Sequence, residues 1–256
     1  LPDLTEQKVI ADCLDRKTAQ IDGLIAKKER MVEFLKEERT AIINQAVTRG
    51  LDLNVELKDS GVEWIGKIPK HWMTKKIKHL TMNHDAARIP LSSEERGLRQ
   101  GSYPYYGANG IIDCIDDYLF DGEYILVGED GAPFFIKDSD VSFLVKGRFW
   151  VNNHAHILSV AKGHDPRYLA YTLNSVDYRE YITGSTRDKL TQDDLSRMVL
   201  PVGSYLEQKA IADYLDRKTA QIDTQVARER KSIEYLKEYR TALISEVVTG
   251  KICLCE

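Results

Sequence analysis

The chain has 256 residues, of which 43% are hydrophobic and 30% charged, and a formal net charge of −4; this is the balance of a folded protein, not of a disordered or collagen-like one. No apolar run approaches the roughly 20 residues needed to cross a bilayer, and no basic stretch with an apolar core opens the chain as a secretory signal would, so a cytoplasmic protein is expected. Of four cysteines only Cys253 and Cys255 are close together; with His154 and His156 the only other close pair of ligand type, free thiols are expected and no metal site.

The first element, residues 1–50, is a long helix: it carries no Pro after Pro2 and repeats apolar residues at alternating three- and four-residue steps. Ala11, Thr18, Ile25, Val32 and Ala46 form one seam, with Leu14, Ile21, Leu35 and Ile42 as companions. The same segment recurs at a shift of 201, and Leu14–Asp22 is identical, residue for residue, to Leu215–Asp223. The second copy, residues 204–250, repeats the seam as Ala212, Thr219, Val226, Ile233 and Val247, with Leu215, Ile222, Leu236 and Leu243. Such heptads call for a coiled-coil partner, and antiparallel pairing of the two copies supplies one. Each seam is broken once by a charge, Lys28 in the first copy and Glu229 in the second. Paired antiparallel about a pseudo-twofold axis, these two meet and fix register; alternatively both stems lie on the seam with their heads in water.

Gly50 stops the first helix, and residues 51–75 form a connector whose Trp64 and Trp72 pin it to a surface. Residues 76–203 read as a mixed α/β domain, so that the fold class is α+β with a two-helix antiparallel coiled coil. Its strand-like runs include 124–127 and 156–160, broken by Gly and Asn turns, and Asp165-Pro166 opens a helix as cap and first turn. Residues 251–256 are a tail.

The domain offers polar, aromatic and basic loops. The stretch 103–110, Tyr-Pro-Tyr-Tyr-Gly-Ala-Asn-Gly, reads as a fold-defining turn with its rings in the core or as a base-contacting loop. Lys75, Lys76, Tyr105, Tyr106, Asn109, Arg148, Asn152, Arg187 and Lys189 are the candidate DNA contacts, because Lys and Arg hold phosphates and Arg and Asn read base edges. Residues 51–200 nonetheless hold 18 Lys and Arg against 22 Asp and Glu, so binding of phosphate requires the basic residues to be segregated on one face. Neither a phosphate-binding Gly-x-x-x-x-Gly-Lys loop, a dinucleotide fingerprint, nor a nucleophile elbow occurs. The acidic pairs Asp116-Asp117 and Asp193-Asp194 read as solvated or capping.

In both helices the pattern Glu-Gln-Lys-x-Ile-Ala-x-x-Leu-Asp-x-Lys-Thr-x-x-Ile-Asp resembles the conserved regions of type I restriction-modification specificity (HsdS) subunits. The connector from Glu63-Trp64-Ile65-Gly66 to His71-Trp72 is similar to the segment leading into their target recognition domains. Residues 103–110, 121–126, 152–155 and 184–190 resemble stretches inside those domains. The resemblance implies a non-catalytic subunit that reads half of a bipartite site in double-stranded DNA. Its helices form a spacer and dock methyltransferase subunits, through which restriction subunits join. S-adenosylmethionine, ATP and Mg are then expected on the partners, with no cofactor in this chain. Family members run domain, helix, domain, helix, whereas this chain starts at a helix; it is either part of a longer subunit or a half-subunit that forms a homodimer. The alternatives are a coiled-coil scaffold whose inserted domain binds a protein, and an enzyme with an irregular site.

Overall fold

The computed structural model describes residues 3–136, 139–182 and 188–251. Two long helices, α1 (Leu4–Arg49) and α5 (Tyr205–Val248), bracket everything else. The chain divides into two compact units, one of residues 1–39 with 217–256, the other of residues 40–216.

The first unit is an antiparallel helix pair. Asp22 meets Arg240 at 2.8 Å, Lys28 meets Glu229 at 2.7 Å, and Arg39 meets Asp223 at 3.3 Å, so one number rises as the other falls. Between the helices Ile21, Ile25, Val32, Ile233, Leu243 and Val247 form a buried seam, flanked by Ile10, Leu14, Val226 and Leu236. These are the heptad positions, which hide an apolar stripe that neither helix could leave in water. The Lys28 and Glu229 side chains are each about 30% exposed, so the pair sits at the edge of the seam, where ion pairing carries little desolvation cost.

The second unit is larger than the sequence suggests, because the connector and the inner ends of both helices enter its core. Val47, Ala212 and Leu215 are fully buried there with Ile68, Trp72, Tyr168 and Leu200. Trp72 anchors the connector there, 1% exposed and meeting Tyr168 edge-on at 6.4 Å. Tyr168 belongs to α3 (Pro166–Leu173), which Asp165 caps with Pro at its start. Its hydroxyl lies 2.8 Å from the Pro201 carbonyl and 3.1 Å from that of Val47. Two small ribbons flank this core: β1 (Leu57–Asp59) with β2 (Lys67–Pro69), and β3 (Met73–Lys76) with β10 (Val199–Val202).

At the start of α5, Ser204 and Glu207 form a reciprocal cap: the Ser204 hydroxyl accepts from the Glu207 amide, and the Glu207 carboxylate accepts from the Ser204 amide at 2.9 Å. The same carboxylate accepts from the Trp72 indole at 2.9 Å and meets His71 at 2.7 Å. Gly203 is required beside it, since a Cβ there would stand 2.6 Å from the Trp72 ring nitrogen.

The remaining strands make one six-stranded sheet in the order β4 (Thr81–Asn83), β9 (Ala155–Val160), β7 (Phe120–Gly128), β8 (Ser142–Val151), β5 (Gln100–Gly107), β6 (Gly110–Ile115). All neighbours are antiparallel except β5 and β8. Strands β8 and β9 flank β7, with Phe149 opposite Phe120 at its start and Ala155 opposite Gly128 at its end. Three residues join Val151 to Ala155, a reach of roughly 14 Å, whereas β7 laid flat would span about 30 Å. The sheet must therefore curl, and Gly122 (φ 148) faces Gly147 (φ 89) in the bending hairpin. Phe120, Leu126, Val145, Phe149, Val151 and Ile157 fill the inside of the curl, while Ile125, Val127 and Leu158 face the helical core. Both faces being buried explains the unbroken apolar run Tyr124–Val127.

Two measurements test these contacts. Reversing Lys28 or Glu229 alone is expected to cost about 1 kcal/mol, and K28E/E229K together to recover most of it, as read from urea midpoints of the four proteins. Burial raises the Glu207 carboxyl, but hydrogen bonds from Trp72, His71 and Ser204 outweigh it and hold it at about 2, against an ordinary 4.5. A depressed carboxyl contributes stability that is present above its unfolded value and lost as pH falls through the folded one. The melting-temperature gap between the wild type and E207Q should therefore be widest above pH 4.5 and close towards pH 2.

Candidate nucleic-acid interface

Because the sheet curls, the β5–β6 turn, the segment after β7 and the start of β9 arrive at one rim. The turn is the two-residue loop Ala108-Asn109 between Gly107 and Gly110. The Asn109 amide donates to the Gly131 carbonyl at 3.0 Å, fastening the hairpin to the chain beyond β7. Gly128 makes that close approach possible, since a Cβ would stand 2.2 Å from that of Ala132. Asn152, almost buried, accepts at Oδ1 from the His154 amide at 2.8 Å, and this local turn directs the His154 ring outward. His154 Nδ1 is held by the Asp130 carboxylate. Asn109, Asn152, His154 and Asp130 line an open pocket of about 320 Å³ with the exposed pair Ile111 and Ile112.

Under the rim lies a charged network. Burial raises the Asp85 carboxyl, but His156 at 2.5 Å, Asn83 and the Ile157 amide bring it below the ordinary range. Asp85 is thus ionised, and the second ring nitrogen of His156 faces the Leu190 carbonyl at 2.9 Å, so both ring nitrogens are engaged inside the protein. Arg88 reaches Glu129 at 2.5 Å and the Ala155 carbonyl at 2.9 Å, and Lys189 reaches Glu129 at 3.0 Å. Burial raises the Glu129 carboxyl too, and bonds from Arg88 and Lys189 with the charge of His156 hold it low. Asp85, Glu129 and His156 have the spacing of a metal-binding trio. Their lone pairs are already taken by Arg88, Lys189 and each other, so a cation would have to displace Arg88 and Lys189. The network instead staples the 85–88 turn, the end of β7, the start of β9 and residues 189–190 into one piece.

The candidates read from sequence are dispersed. Asn109 and Asn152 reach the rim pocket, and Lys189 sits beside it, bridged to Asp130. Arg148 is exposed on β8, paired with Asp121 at 3.0 Å and stacked on Tyr118 at 4.8 Å. Lys75 and Lys76 are on the β3–β10 ribbon, not on the six-stranded sheet. Tyr105 is corrected outright: it is 0% exposed, packed with Ile115 and Trp150, and its hydroxyl accepts from the Leu91 amide. Tyr106 is half-buried against Phe143 and Phe149; the rings follow the core alternative because β5 alternates between the curl and its outer layer. Arg187 lies outside the described residues. Lys28 and Glu229 face each other in the helix pair. Sequence reasoning missed Asp130, Ile111, Ile112 and the Asp85–Arg88–Glu129–His156 network, which come from four separated segments. The one available signal was a pair of isoleucines directly after a turn glycine.

Residues 69–235 match the model of the type I restriction modification DNA specificity domain. A Haemophilus influenzae protein named as a type I restriction enzyme specificity subunit is 31% identical over 64% of this chain and 39% of its own length. The chain thus spans about two-fifths of that relative. Among solved structures, one chain of a type I R-M system covers 96% of this chain and 60% of its own, with a TM-score of 0.67 at 15% identity. The HsdS subunit of Thermoanaerobacter tengcongensis covers 98% and 60%, with a TM-score of 0.56 at 13% identity. At those identities the likeness is one of fold.

The network carries its own prediction. Arg88→Met should leave Glu129 short of its nearest cation and cost about 3 kcal/mol in urea unfolding, the scale of breaking a buried pair from one side.

Proposed function

Because the chain belongs to the type I restriction modification DNA specificity family, we propose that it is a non-catalytic subunit whose α/β unit reads one half of a bipartite DNA target. The observation that carries the reading is the rim. Asn109 from the β5–β6 turn, with Asn152 and His154 from the β8–β9 loop, turn amide and imidazole groups towards one open pocket beside two exposed isoleucines. Amides, imidazole and apolar tips are the groups that meet base edges and thymine methyls in a major groove. Exposed Lys76 on its ribbon and Arg148 on β8 supply charge for the phosphate backbone.

The helices serve to dock methyltransferase subunits. Phe34, Tyr235 and Tyr239 are each more than half exposed, and Phe34 and Tyr235 occupy equivalent positions of the duplicated segment, so one partner surface fits both. S-adenosylmethionine, ATP and Mg then belong to the partners. The two copies also differ in what covers them. Val47 is 0% exposed, while its equivalent Val248 is 69% exposed; Ala212 and Leu215 are buried, while Ala11 is exposed and Leu14 half-buried. A second recognition domain, from a longer chain or from a second copy in a homodimer, covers the open ends. No helix among the described residues is long and apolar enough to cross a membrane.

The test is titration of duplex DNA against the chain with its methyltransferase partner at several salt concentrations. Log affinity should fall linearly with log salt, with a slope of about −0.9 per neutralised phosphate, and the chain alone should turn over no substrate. A salt-independent association with protein and none with DNA would instead identify a scaffold.

A further inference from the structure

Two histidines stand two residues apart at the start of β9, and the fold treats them oppositely. His156 is 1% exposed and spends both ring nitrogens inside the protein. His154 has a side chain 41% exposed, and Asp130 holds its Nδ1. Among the described residues Nε2 has no partner. The Asp130 carboxylate is 13% exposed, a largely buried anion set against a ring that itself opens to solvent. An acceptor carboxylate at Nδ1 sets the tautomer of the neutral ring, with the N–H towards Asp130 and the acceptor lone pair at Nε2.

That lone pair opens beside Asn109, Asn152, Ile111 and Ile112. The Asn152 side chain is held by the same loop, since its Oδ1 accepts from the His154 amide. The geometry points to His154 as a specificity-determining residue that accepts a hydrogen bond from the exocyclic amino group of a base, with Asp130 as its positioning residue. In the major groove adenine and cytosine offer such a donor, while guanine and thymine offer only acceptors. Ile111 and Ile112 beside it match a neighbouring thymine methyl, which the groove presents as its one apolar feature. The inference rests on the DNA-recognition reading and adds which residue reads, and what it reads.

The test is selection of bound sequences from a pool of randomised duplexes by the full chain, wild type, H154A and D130N. The wild type should enrich adenine or cytosine at one position. H154A should flatten that position by about tenfold, leaving the other positions and the salt slope unchanged. D130N, whose amide can donate to Nδ1 and so move the proton to Nε2, should shift the same position towards guanine or thymine. An unchanged urea midpoint for H154A shows that the effect is not loss of folding. Retention by H154A of every wild-type preference would overturn the assignment, as would equal weakening against all sequences, which marks a structural or phosphate role. A wild type that binds no duplex at all would overturn the DNA-recognition reading itself, and with it this one.

Discussion

Trp72 is the point at which the sheet core of residues 40–216 and the helix ends inside it, Val47 of α1 and Glu207 of α5, are locked together. Its indole donates to Glu207, which caps α5; its ring meets Tyr168, whose hydroxyl lies between the ends of α1 and β10; and its face is approached by Gly203 so closely that no Cβ fits. One large aromatic with a polar edge serves here because the joint needs both a dense apolar core and a donor for a partly buried carboxylate. The connector and both helix ends are therefore one core with the sheet, and the rim inherits rigid support from beneath.

The acidic balance of residues 51–200 looks unfavourable for a DNA-facing unit, yet formal charge is a poor guide to surface potential. Asp85, Glu129 and Asp165 are all less than 10% exposed and are consumed by His156, Arg88, Lys189 and Arg167. Asp177 and Asp194 interact with helix starts. Acids that cap helices and neutralise buried cations are spent on folding and present little field to solvent. Among the described residues the candidate basic side chains are dispersed, so the proposed recognition would rest on the shape and hydrogen-bonding groups of the rim as well as on charge.

What the sequence made legible followed from repetition and period. The heptads placed Ile21, Ile25, Val32, Ile233 and Leu243 in a shared seam, and duplication of the segment suggested an antiparallel partner. Asp165-Pro166 marked α3 because a cap and a fixed φ are local chemistry. The rim was not legible in this way. Its pocket depends on the curl of the sheet, which brings residue 109 against 131 and residue 85 against 156 across long separations. Tyr105 illustrates the limit: a loop rich in tyrosine suits base stacking and a core equally well, and only the strand's facing decides. The extent of the core was not legible, because apolar positions 43–47 and 211–215 continue the helical period without a break, while the surface that buries them changes.

That continuity has a consequence for how the chain acquires its structure. The core of residues 40–216 needs Val47 from one end and Leu215 from the other, so its closing contacts join segments some 170 residues apart, the kind of pairing that slows folding. On the ribosome the last turns of α1 emerge early and wait, apolar and uncovered, until the start of α5 has been synthesised. The duplication adds a hazard during that interval, since the second copy offers the first copy's binding surface to any neighbouring nascent chain. The differences between the copies, such as Lys28 against Glu229 or Phe34 against Tyr235, are what allow each segment to be told from its twin.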